Sequence, residues 1–207
     1  MSATTTATIC DAAYFDALYA TSDDPWDYRG RWYESRKRQL ALACLPRERY
    51  RSGFEPACSN GELAASLAPR CDALLCADLN ARAVELATQR CKSWPHVRVE
   101  QRTMPTEWPD DGRFDLIVIS ELLYYLTTQA TAQLAALAQG SLAKDGTLLA
   151  CHWTHPFEGA LQSARQAHAA FDACMCLTKL VRHMEADLLL EVWSNDARPV
   201  AAREGIA

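Results

Sequence analysis

Glycine is scarce where a phosphate-binding loop would need it. The chain has eight glycines in 207 residues, and the segment Gly53-Phe-Glu-Pro-Ala-Cys-Ser-Asn-Gly61 closes on a single glycine rather than carrying three. A dinucleotide pyrophosphate needs several, so that backbone and helix N-terminus can approach two phosphates. No stretch approaches the ~18 apolar residues of a membrane helix. The start, Met1-Ser-Ala-Thr-Thr-Thr-Ala-Thr, shows no charged region leading into an apolar one. These absences predict a cytoplasmic protein with no membrane contact. No Cys-x-x-Cys pair occurs among nine scattered cysteines, which read as reduced and mostly buried small hydrophobes. A basic excess is also missing: 21 basic against 26 acidic side chains argues against nucleic-acid binding.

What is present is a chain of one-domain length, long enough to bury a substantial core, with residues 1–10 expected to be disordered. From Asp11, a candidate N-cap, Tyr14, Phe15, Leu18 and Tyr19 recur at helical spacing up to Ser22-Asp-Asp-Pro25. A second helix from about Gly30 to Pro46 would align Trp32, Arg36, Gln39 and Ala43. Residues 11–48 are therefore expected as a helical lid ahead of a 49–200 core. That core alternates strand and helix: strands at about 52–56, 73–78, 97–100, 114–120 and 146–152, with helices at about 60–68, 81–92 and 121–139 between them. Such alternation predicts an α/β fold with a parallel, doubly wound sheet and helices on both faces. Residues 176–184 and 188–193 are two strand-like runs only three residues apart. A gap this short allows a hairpin but no parallel crossover, so the sheet should end antiparallel.

Within this order, residues 53–68 and 74–80 read as strand, tight loop, helix, strand and acid, the nucleoside-binding half of a Rossmann-like sheet. Glu55 closes the first strand, and Asp78 closes the second, where an acid can accept hydrogen bonds from both ribose hydroxyls. S-adenosylmethionine carries no phosphate and asks less of the loop than a dinucleotide does. Its pattern Glu/Asp-x-Gly-x-Gly-x-Gly can be laid on Glu55, Ala57, Ser59 and Gly61, with small residues at the first two glycine positions at a cost wherever φ must be positive.

From about Tyr14 to Trp193 the chain resembles class I S-adenosylmethionine-dependent methyltransferases, and more narrowly the nodulation N-methyltransferase (NodS-like) family. The residues that carry the likeness are Asp24-Pro-Trp-Asp-Tyr28, Trp32-Tyr-Glu-Ser-Arg-Lys-Arg38, Glu55-Pro-Ala-Cys-Ser-Asn-Gly61, Ser120-Glu-Leu-Leu-Tyr-Tyr-Leu126 and Cys151-His-Trp-Thr-His-Pro156. Ala57 and Thr103 depart from the family pattern, which has glycine at the first and often an acid at the second. The resemblance implies that Glu55 lies near the methionine amino group, Asp78 holds the ribose and Leu79 packs on adenine. It implies that Thr103 and Met104 flank adenine, that the Ser120 carbonyl meets the methionine part, and that Glu121 and Tyr124 stand where the methyl group emerges. It also implies a small-molecule acceptor, an amino sugar or oligosaccharide bearing a free amine.

Methyl transfer to an amine needs orientation, a dry site and a way to remove a proton. Glu121, His152 and His155 follow strands whose ends face the ligand crevice, and are the candidate catalytic residues. Glu121 reads equally as an acid favoured by a helix N-terminus, and either histidine as a structural loop residue. His-x-x-His has no further partners in the sequence, so no metal is expected. Trp26 and Arg36 are candidates to cover the cofactor, Arg36 through its carboxylate, while Tyr28, Trp32 and Tyr124 are candidates for the acceptor. The cluster Arg29, Arg31, Arg36, Lys37 and Arg38 reads otherwise as a solvated helix face. Two other readings stay open: methylation at nitrogen, oxygen or sulfur of another small metabolite, and a catalytically silent nucleoside-binding module.

Overall fold

The computed structural model describes residues 12–110 and 112–206, so the expected disorder at 1–10 and the cap at Asp11 lie outside the described residues. Seven strands form one sheet: β1 (Tyr50–Glu55), β2 (Cys71–Asp78), β3 (Val97–Gln101), β4 (Phe114–Ser120), β5 (Leu142–Trp153), β6 (Thr178–Met184) and β7 (Leu188–Ser194). Their order is β3-β2-β1-β4-β5-β7-β6. The first five are parallel, and β7 runs antiparallel between β5 and β6. The short link at 185–187 enforces this arrangement, as a parallel return needs a dozen residues or more.

Helices α1 (Ala12–Thr21) and α2 (Trp32–Cys44) precede the sheet; α3 (Glu62–Leu67), α4 (Ala81–Arg90), α5 (Thr128–Ser141), α6 (Ala164–Ala173) and α7 (Val200–Arg203) follow. The run Phe-Asp-Leu-Ile-Val-Ile makes β4 buried on both faces, as a central parallel strand must be. Its alternate residues feed two apolar layers. Leu116 and Val118 pack in the layer of Ala64 and Leu67; Ile117 and Ile119 pack in that of Leu134 and Phe171. Asn80 caps α4, its side chain accepting the Ala83 N–H at 2.9 Å.

Two expectations need correction, and one helix has none to compare. The helix expected over 121–139 begins at Thr128, capped by Thr127, because Glu121 has a positive φ of 54° and a single 3-10 turn, Leu123–Tyr125, intervenes. Helix α6 carries no sequence expectation above, although Ser163 and Gln166 form a capping box that is a legible start signal. In α2 the buried residues are Glu34, Lys37 and Ala41, whereas Trp32 and Gln39 face solvent. The side on which Trp32, Arg36, Gln39 and Ala43 align is thus not the buried one, and the buried charges of Glu34 and Lys37 satisfy one another.

The two N-terminal helices differ in how they are held. Helix α2 is tied to the β6–β7 turn: Tyr33 donates to the Asp187 carbonyl at 3.1 Å, and Arg36 grips Glu185 through two bonds of 2.7 and 2.6 Å. Helix α1 leans on the sheet through the Tyr19 hydroxyl, 2.6 Å from Ser59 Oγ, and through Asp16, which accepts from Asn80 at 2.7 Å. Among the described residues no helix is long and apolar enough to cross a membrane.

Candidate functional site

A cavity of about 1220 Å³ opens over the C-terminal ends of β1, β2 and β4 and is walled by α1, α2 and the loops after those strands. It lies at the point where strand order reverses between β1 and β4, where open α/β sheets bind ligands. Its size exceeds the ~300–1,000 Å³ of an ordinary small-molecule pocket, leaving room for two ligands side by side.

One end is built by the loop after β1. Ser59 takes φ 50° and Gly61 φ 81°, so a serine accepts the left-handed conformation that the sequence marks as costly at this position. What holds it there is its own N–H, which donates to Asp78 Oδ2 at 2.8 Å, while Asp78 Oδ1 accepts from the Asn80 N–H at 3.0 Å. Gly61 is required for a second reason: a Cβ there would lie 2.8 Å from Ala87 Cα, so α4 packs directly onto the loop. Asn60 donates to Asp24 Oδ1 at 2.9 Å, and Asp24 also receives the Tyr28 and Arg29 N–H groups, tying the turn before α2 to this loop.

Glu55, Ala57, Ser59 and Asp78 line this end; Leu79, Thr103, Met104 and Ser120 continue it. Glu55 is fully buried, and among the described residues its one hydrogen-bond partner is the Cys76 thiol at 3.8 Å. Burial, and then the charge of Asp78, push its carboxyl up to about 8. Burial also raises Asp78, against the pull of its N–H donors. Asn60 Oδ1, also buried, has no partner among the described residues. A buried acid with a single thiol donor, a second acid held by backbone N–H groups and an unpartnered amide oxygen are what a ligand with an ammonium group and ribose hydroxyls satisfies. A pyrophosphate would meet acids where it needs N–H groups.

The other end holds a buried charge cluster. Lys37 Nζ, from α2, lies 2.5 Å from Glu121 Oε1 and 2.9 Å from Glu34 Oε2, and 5.4 and 5.7 Å from the ring centres of Tyr33 and Tyr28. Burial alone would lower the Lys37 pKa, but the charges of Glu121 and Glu34 outweigh it and raise it. The lysine is therefore a fixed cation. Burial pushes Glu34 up despite Lys37. Glu121 Oε2 accepts from the Tyr124 hydroxyl and from the Trp153 N–H at 3.1 Å. A carboxylate has about four lone-pair positions, so with Lys37 counted one remains open. The Tyr28 and Tyr124 phenols are raised well above their ordinary range by burial and then by the Glu121 charge, and stay neutral donors.

Trp26, Tyr28, Glu121 and Tyr124 line the cavity; five other candidates do not. His152 is completely buried behind it. Its Nε2 accepts the Leu122 and Leu123 N–H groups at 3.2 and 3.0 Å, so its proton sits on Nδ1, 2.8 Å from His168 Nε2; His168 Nδ1 in turn lies 2.9 Å from Glu191. Burial, then His168, holds His152 well below the usual histidine range. It supports the turn that carries Glu121 and touches no ligand space. His155 is half exposed outside the cavity, 2.6 Å from Asp187 Oδ1. Arg36 is spent on Glu185, and Trp32, 71% exposed, points to solvent. Gly61 lies beneath the loop and not on the cavity wall. The basic cluster is likewise dispersed, as Arg29 pairs with Glu62 and Arg31 with Asp27, while Arg38 donates to the Tyr28 carbonyl. Sequence reading missed Lys37, Glu34 and Tyr19 as site residues. The signal for the first two is a helix whose i, i+3 pair is charged where an apolar stripe should be.

The family model of Nodulation protein S (NodS) matches residues 17–154. Nodulation protein S of Rhizobium tropici is 29% identical over 115 residues, 55% of this chain and 48% of that protein. That of Bradyrhizobium diazoefficiens is 33% identical over 109 residues, 50% of each. The chain thus spans about half the length of the curated relatives it matches. Among solved structures, a Pseudomonas syringae protein described as a candidate methyltransferase is 50% identical, with a TM-score of 0.71, over 79% of this chain and 99% of that one. The N-methyltransferase NodS of Bradyrhizobium japonicum, solved with S-adenosyl-L-homocysteine, is 26% identical with a TM-score of 0.76, over 89% and 99%. The mostly parallel sheet with its antiparallel C-terminal hairpin is the class I methyltransferase fold.

Proposed function

The chain belongs to the nodulation protein S family, and we propose that it is an S-adenosylmethionine-dependent methyltransferase acting on the nitrogen of a free amine in an amino sugar or oligosaccharide. The observation that carries the cofactor reading is Glu55, buried beside Asp78 at the switch point with no cationic partner among the described residues. Asp78 receives the ribose hydroxyls, Glu55 and Asn60 the methionine amino group, and Leu79, Thr103 and Met104 flank the base. The Ser120 carbonyl and Trp26 border the methionine part. S-adenosylmethionine, when bound, supplies a methyl group on a sulfonium that an amine lone pair displaces in line.

The protein's share is orientation and exclusion of water. Tyr28 and Tyr124 wall the acceptor end, and the open position on Glu121 takes an N–H of the acceptor and aims its lone pair. Neither histidine expected as a base reaches the cavity, so the amine enters neutral and its extra proton leaves to water after transfer. Helix α2, pinned to the hairpin, walls one side of the cavity, and α1 covers another through Tyr19 and Asp16. The volume and the aromatic and polar lining support an acceptor larger than a simple amine.

Calorimetry with S-adenosylhomocysteine and with NAD tests the cofactor. Tight NAD binding without a response to the thioether would overturn the reading. Mass analysis of chitosan oligomers bearing a free terminal amine, incubated with S-adenosylmethionine, tests the acceptor. Addition of 14 mass units per methyl (roughly, one CH₂) supports it; no addition, with ready methylation of a phenol or thiol, retains the enzyme class and discards the amine. Cofactor binding without methylation of any acceptor would favour a silent module.

A further inference from the structure

Lys37 poses a problem for the acceptor reading that its geometry also resolves. A carboxylate within about 4–6 Å of a bound amine favours the protonated form, typically by 1–3 pKa units, and an ammonium has no lone pair with which to attack. Glu121 borders the acceptor end and would hold the substrate in that unreactive form. Lys37 lies against it at 2.5 Å, through a contact spanning from α2 to the loop after β4.

We infer that Lys37 is a positioning residue that acts through Glu121: by neutralising this carboxylate and filling the cage of two carboxylates and two tyrosine faces, it keeps the acceptor nitrogen neutral and shuts the acceptor end, beyond the sulfonium of the cofactor, to quaternary ammonium ions. The inference rests on the methyltransferase reading above. The groups around Lys37 permit no other cancellation. From its own helix come Glu34, Tyr33 and, further out, Arg38, which donates to the Tyr28 carbonyl; from the β4 loop come Glu121 and Tyr124; from β5, Cys151; from the preceding turn, Tyr28. Asp187 and Glu158 are further carboxylates on the cavity wall, neither of them in contact with Lys37. Lys37 is the one ammonium in contact with Glu121 among the described residues. With it the Glu34–Lys37–Glu121 cluster carries a single formal negative charge, and without it two. Transfer then balances simply: the nitrogen lone pair forms the N–C bond, the S–C bonding pair stays on sulfur, and the alkylammonium product loses its proton to water.

The test uses the full chain loaded with S-adenosylhomocysteine and tetramethylammonium as the probe, read by saturation-transfer NMR. Lys37→Met should bind tetramethylammonium at least about tenfold more tightly than the wild type, as two unpaired carboxylates and two aromatic faces become a cation cage. Should Lys37→Met fail to fold, Glu34→Gln/Lys37→Met leaves Glu121 unpaired at the formal charge of the wild-type cluster, and should still bind tetramethylammonium more tightly than the wild type because no ammonium fills the cage. With a deacetylated chitosan oligomer as acceptor, the acid limb of the kcat–pH profile should move up by about one unit or more in Lys37→Met, and return to its wild-type position in Lys37→Arg whatever the change in kcat. Equal tetramethylammonium affinity in wild type and variant, with thioether binding intact, overturns the role of Lys37 alone. Loss of thioether binding by the wild type overturns the functional reading instead.

Discussion

His152 and His168 are joined ring to ring in the protein interior, Nδ1 to Nε2 at 2.8 Å, both almost without solvent contact. Because backbone N–H groups of Leu122 and Leu123 can only donate, the first imidazole must be neutral with its proton on Nδ1. Its pKa is lowered by burial below the ordinary 6.5, so the unfolded chain binds this proton more readily than the native one. Stability from this group is present above about pH 6.5 and is lost as pH falls below it, at about 1.4 kcal/mol per pH unit until the native pKa is reached. Urea unfolding at neutral pH and about one unit below the histidine range measures this slope. His152→Ala, which strands two buried N–H groups, should cost roughly 2–4 kcal/mol and lower kcat by displacing Glu121.

Glu55 supplies a second pH signature. With its carboxyl pushed up to about 8, it is largely neutral at pH 7 and must lose a proton to meet an ammonium group. Affinity for S-adenosylhomocysteine should therefore rise with pH, approaching tenfold per unit below about pH 8, with proton release visible by calorimetry in buffers of different ionisation enthalpy. Glu55→Gln should flatten that dependence. A wild-type affinity independent of pH would mean that Glu55 does not face the ligand's charge.

Asp78→Asn keeps an oxygen for the Ser59 N–H but gives up the negative charge. Cofactor affinity should drop by roughly 1–3 kcal/mol through loss of charge-assisted bonds to the ribose, and the thermal midpoint should also fall, because the new amide NH2 faces the Asn80 N–H that Asp78 Oδ1 accepts. Calorimetry and thermal melts on the same sample separate the two effects.

Gly61→Ala combines a left-handed φ of 81° with a Cβ 2.8 Å from Ala87 Cα, a backbone atom that can move only with α4. Destabilisation of at least roughly 1–3 kcal/mol is expected, together with weakened cofactor binding as the loop shifts. Gly112→Ala, where a Cβ would meet nothing within 4 Å despite a φ of 139°, should leave cofactor binding unaffected. Equal losses of binding in both variants would remove the packing argument.

Arg36→Ala, Trp32→Ala and His155→Ala act outside the cavity and should leave cofactor affinity, and the pH dependence of the rate, as they are in the wild type. A large loss of rate in His155→Ala would restore it as the base. Isothermal titration and product mass spectrometry on the three proteins decide this.

The strand-helix alternation, the acid at the end of β2, the cap at Asn80 and the short link that forces an antiparallel hairpin were legible in the chain alone, because each depends on neighbours within a few residues. So was the choice against a pyrophosphate, since glycine content is a local property. Tertiary structure decided the rest. Lys37 and Glu121 stand 84 positions apart, and Arg36 and Glu185 stand 149 apart. No periodicity announces such pairs, so a helix face that looks like a solvated charge run turns out to hold a buried lysine, and the basic cluster around it is dispersed onto Glu62, Asp27, Glu185 and the Tyr28 carbonyl. His152 shows the same limit: at the end of a strand, the sequence places it near the crevice, but whether its ring faces ligand or core depends on α6, whose His168 is there to receive its proton. Secondary structure follows from local geometry and hydrophobic period; the protonation, charge and reach of a site follow from what the fold brings against it.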